Sequence, residues 1–99
     1  MSEIDRWGAA LETLEAKHAE VMARLYRAIA AHNHMGRWEM LSSNVRETIV
    51  SLAHELCEQW EDNPILHDIP SSSLSPILQV VAEQHRLVEA IMVLENRRI

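Results

Sequence analysis

Apolar residues recur along the chain in steps of three and four, in three separate runs. The first run holds Ile4, Trp7, Leu11, Leu14, Val21, Met22, Leu25 and Ile29. That spacing is the period of one helix face and predicts a helix over 4–31, with Ser2 or Asp5 as its cap. Glu12, Glu15, Lys17, Glu20, Arg24 and Arg27 fall on the other face. At 1.5 Å per residue such a helix is about 40 Å long, well beyond the usual three or four turns. It predicts a bundle of long helices. His32-Asn33-His34-Met35-Gly36 breaks the pattern, and Gly36 can take positive φ at little cost, which suits a helix-ending turn.

The second run is Trp38, Leu41, Val45, Ile49, Leu52, Leu56 and Trp60. It predicts a helix over 37–61, ended by Asp62-Asn63-Pro64 because proline restricts the residue before it. Pro64, Pro70 and Ser71-Ser72-Ser73 argue against helix over 63–73, whereas Ile65, Leu66 and Ile69 predict that this stretch packs along the bundle. The third run is Leu74, Leu78, Val81, His85, Val88 and Met92, a helix over 74–98. Ser75 before Pro76 reads as a cap followed by a favoured first helical residue; a cap at Ser72 or Ser73 is the alternative. The expectation is one all-α domain over 1–99, a three-helix antiparallel bundle. The short first loop implies up-down-up order.

Composition and charge exclude several functions. The net charge is −6, and no cluster of Lys and Arg is present to replace counterions on phosphates, which argues against a nucleic-acid partner. The N-terminus is acidic with no apolar run behind it, unlike a secretory signal. No stretch approaches the roughly 20 apolar residues that span a bilayer, and a single Cys excludes an internal disulfide. These features place the chain in the cytoplasm, without membrane insertion.

Candidate chemistry is sparse. Cys57 has His54 three residues before it, but both belong to one helix with no oxyanion-stabilising loop, so Cys57 reads as a packed, inert thiol. Glu15-x-x-His18 is half of a di-iron signature whose second half is missing. His32-x-His34 sits in a loop and offers at most a weak metal site. His18 and His85 fall on the apolar stripes and read as hydrogen-bonded core residues that could meet across an interface, where burial would disfavour their charged forms. Small helical chorismate mutases share the length and the long first helix, but they bind a dianion with inward Arg and Lys. Arg6, Arg24, Arg27, Arg46 and Arg86 lie off the stripes here. The expectation is no enzyme, no cofactor and no metal.

The helices carry more apolar surface than a three-helix bundle needs, which is an arc of roughly 100° on each. Helix 3 adds Ile77, Val80, Leu87, Ile91 and Leu94, and its apolar arc reaches about 200° at 100° per residue. Helix 2 is widened by Val50, Ala53 and Cys57. The surplus predicts an exposed apolar groove, a usual sign of a binding site. Its expected lining is Val50, Ala53, Cys57 and Trp60 with Val80, Leu87, Ile91 and Leu94. Leu66 and Ile69 would stand with Trp60 at the groove's end, whereas Trp7 and Trp38 read as core. The groove would hold a partner's amphipathic helix or close a homodimer.

The segment Gly36-Arg37-Trp38-Glu39-Met40-Leu41, followed by Val45-Arg46 and Ile49, resembles the FliT-type flagellar export chaperones. Members show a Gly-acidic-Trp-acidic-x-Leu pattern after a long helix, then an Arg on the second helix. Gly36, Trp38, Glu39, Leu41 and Arg46 match, and Arg37 departs from the usual acidic residue. The resemblance implies a type III export chaperone. It would bind the C-terminal segment of the filament-cap protein, deliver it to the export gate and, in some members, bind a flagellar regulator. Members often carry a fourth helix that folds back over the binding surface, and the sequence stops at Ile99, where the third helix is expected to end. The alternative is a helical dimerisation or interaction module unrelated to secretion.

Overall fold

Helix α1 runs over Glu3–His32, α2 over Ser43–Asp62 and α3 over Pro76–Asn96. Short 3-10 turns occupy Trp38–Met40, Pro64–Asp68 and Ser71–Ser73. The computed structural model describes the backbone of residues 3–96 and the side chains of residues 6–96. The side chains of Ile4 and Asp5, the candidate cap Ser2 and the helix end expected at 98 lie outside the described residues. The all-α, three-helix expectation holds, and no strand occurs among the described residues.

The second helix begins later than its apolar spacing suggested. Trp38 and Leu41 belong to a 3-10 turn and its cap, and α2 starts at Ser43. Ser42 is the reason. Its backbone is extended (φ −68°, ψ 161°) and its hydroxyl accepts a hydrogen bond from the Val45 N–H at 3.4 Å, the geometry of an N-cap. Leu41 is extended as well (φ −82°, ψ 147°), so two consecutive extended residues redirect the chain before α2 departs. At the start of α3, the Ser75 hydroxyl accepts from the Leu78 N–H at 3.3 Å and Pro76 is the first helical residue. That confirms the Ser75-Pro76 reading.

The direction of the helices differs from up-down-up order. The Trp7 indole N–H donates to the Leu94 carbonyl at 2.6 Å, His18 meets Gln84 at 3.1 Å, and Arg24 pairs with Glu83 at 3.0 Å. Rising numbers on α1 thus match falling numbers on α3, and these two helices are antiparallel. Helix α2 cannot be antiparallel to both. It lies against one end of the pair: Trp38, just before it, stacks on Tyr26 of α1 at 5.3 Å, and Trp60, near its end, faces His85 of α3 through His67.

The core sits where the three helices meet. Among the described side chains, every buried residue of α1 lies between Val21 and Ala30, and α3 contributes Val81 and Ala82. Ile49, Ala53 and Trp60 enter from α2, and Leu74 closes the end. Ala30, Ala53 and Ala82 let the backbones approach closely around Leu25, Ile49 and Val81, the largest fully buried side chains. The 63–73 stretch packs through Leu66, while Ile65 points out at 78% exposure. Only part of its expected apolar contact is made.

Helix α1 ends at His32, ahead of Gly36. Met35 N–H bonds to the Ala30 carbonyl at 2.9 Å and His34 N–H to the Ala31 carbonyl at 3.1 Å, which is the Schellman pairing. The left-handed residue in it is His34 at φ 57°, and Gly36 at φ 92° then completes the turn. A side chain at positive φ costs roughly 1–2 kcal/mol. His34→Gly is therefore expected to raise stability by up to about 1 kcal/mol. Gly36→Ala is expected to lower it by about 1–2 kcal/mol although a Cβ there meets nothing within 4 Å. Urea unfolding midpoints of the two variants check both signs.

Candidate protein-binding surface

The residues that carry the family resemblance converge on the turn between α1 and α2. Arg46, on the first turns of α2, reaches back and donates to the Trp38 carbonyl at 3.1 Å and the Glu39 carbonyl at 2.8 Å. Its guanidinium carbon stands 5.4 Å from the Trp38 ring centre, within cation–π range. The Trp38 ring also stacks on Tyr26. Glu39 accepts from Arg27 at 3.2 Å across an exposed ion pair. A backbone hydrogen bond of its own, and then the Arg27 guanidinium, hold the Glu39 carboxyl below the usual carboxylate range. That contribution is present at neutral pH and lost as pH falls through the lowered value; exposed pairs of this kind are weak. Gly36, Trp38, Glu39 and Arg46 are thus the parts of a latch that fixes how α2 leaves α1.

The expected groove does not form as drawn. Ala53, at 0% exposure, and Trp60, at 4%, are sealed in the core, because α2 turns them toward Leu25, Leu74 and Ala82. Val50 and Cys57 are half-buried on α2. Burial pushes the Cys57 thiol up, away from the reactive thiolate form. Val80, Leu87, Ile91 and Leu94 are half-buried too. Leu87 belongs to a shallow groove between α1 and α3, with Lys17, Val21 and Arg24, and the Leu94 carbonyl holds Trp7. Because α1 and α3 are antiparallel neighbours, this part of the surplus arc faces α1, not a groove shared with α2. The order expected for the tryptophans is also reversed: Trp60 is core, and Trp7 and Trp38 are half-buried.

The unmet apolar surface lies elsewhere. At 1.5 Å per residue, the 30 residues of α1 make about 45 Å and the 20 of α2 only about 30 Å. Residues 6–20 of α1 and 83–96 of α3 contain no buried side chain. Most of this pair forms a two-helix overhang beyond α2, whose end still shares a groove, through Trp60 and His67, with His85, Arg86 and Glu89. Leu11 lies eleven residues before Met22, and Val88 and Met92 lie seven and eleven after Val81, so all three continue faces that meet α2 in the core. In the overhang no third helix stands over them. Met92 is 55% exposed and Val93 50%.

The whole molecule reflects this. Its longest dimension is 49 Å and its radius of gyration 15.6 Å, against about 13 Å for a compact domain of this length. Its accessible surface is 7177 Å², where a compact 11.4 kDa monomer exposes about 5,800 Å². The excess, on the order of 1,400 Å², is more than one side of a standard protein–protein interface, about 800 Å².

The histidines have other partners than expected. His18 and His85 are half-buried and do not meet; His18 faces Gln84, and His85 pairs with Glu89 at 3.0 Å. His67 donates to the Trp60 carbonyl at 2.8 Å, stacks on the Trp60 ring at 5.0 Å and faces the His85 ring at 4.7 Å. This stack pins the 3-10 segment onto the end of α2. His32 and His34 are exposed. Among the described residues no group of three or more His, Cys, Asp or Glu is arranged to hold a metal ion, and no helix is long and apolar enough to cross a membrane.

The latch has a measurable weight. Arg46→Ala removes two charge-assisted hydrogen bonds and the cation–π contact and is expected to cost about 2 kcal/mol. Arg46→Lys keeps the charge without the two-pronged geometry and should recover less than half of that. Urea unfolding followed by near-UV circular dichroism checks the order. No family model, no curated protein and no solved structure matches the chain.

Proposed function

We propose that this chain is a protein-binding helical chaperone of the flagellar type III export kind, acting in the cytoplasm. Its role would be to hold the C-terminal segment of a filament-cap protein and pass it to the export gate. The observation that carries the protein-binding part is the overhang of α1 and α3, an apolar helix pair without a third helix over it. Exposed apolar residues such as Met92 and Val93 on an uncovered helix pair are the kind of surface that marks partner sites in other proteins. The flagellar assignment rests on the Gly36-to-Arg46 segment and on its place between a long first helix and the second. No residue performs bond chemistry in this reading. A flagellar regulator would be a further protein partner, and a second copy of the chain is the competing occupant.

The test is a complex. The purified chain, mixed with a cap-protein C-terminal segment, should give a one-to-one species by light scattering. Met92→Asp should weaken that complex at least tenfold while leaving helicity unchanged, because Met92 is largely exposed in the free chain. A chain that forms a stable dimer and ignores the segment would replace the export reading with the dimerisation module.

A further inference from the structure

We draw no further inference here: the strongest candidate, the uncovered apolar face of the α1/α3 overhang around Met92 and Val93, carries none, because nothing in the structure shows what covers it and acidic and basic side chains stand together in both grooves beside it.

Discussion

The shape of the molecule depends on where α2 is sent, and that is decided by Arg46. Its guanidinium takes the Trp38 and Glu39 carbonyls, the first of which also accepts the Leu41 N–H of the 3-10 turn. The turn in turn lies on Tyr26 through the Trp38 ring. With that geometry fixed, α2 departs from a point well inside α1 rather than from its end. A helix of twenty residues so placed covers the C-terminal third of α1 and, on α3, the stretch from its start to the groove that Trp60 shares with His85 and Glu89. The core, the antiparallel return of α3 and the uncovered overhang are consequences of the same turn.

The latch also gives a physical role to a short motif. Gly36 is needed for its positive φ, Trp38 for a flat surface that takes Tyr26 on one side and accepts Arg46 nearby, and Arg46 for a planar fork of donors. Each residue type answers a local demand. The motif therefore bears on the path of the chain, and the exposed apolar residues of the overhang lie outside it. Gly36 to Arg46 and the overhang lie at different parts of the structure, joined through the packing of α1.

Much of the fold was legible because long amphipathic helices announce themselves by period. Helix α1, the end of α2 at Asp62 and the Ser75-Pro76 start of α3 follow from spacing and cap chemistry alone. The direction of α3 did not, because a period says which face is apolar and is silent on which neighbour covers it. The same gap misplaced the groove. Val80, Leu87, Ile91 and Leu94 do form a second apolar stripe, and it is α1 that lies beside it. Ala53 falls beside the main apolar stripe of helix 2 and Trp60 at its end, and spacing alone does not say that the core reaches both. The sequence did hold one sign of the shorter path: Ser42, a cap-type residue ahead of Val45, at odds with a helix beginning at Arg37.

An overhang made of two helices has a thermodynamic character of its own. Segments with few buried contacts open at a lower free energy than the domain as a whole. In the overhang the described tie at the far end is the Trp7 indole to the Leu94 carbonyl, with half-buried leucines behind it. Its backbone amides should therefore exchange with solvent deuterium well before those around Leu25 and Ile49. A bound helix would slow that exchange, so the grip of a partner is measured partly in the breathing it suppresses.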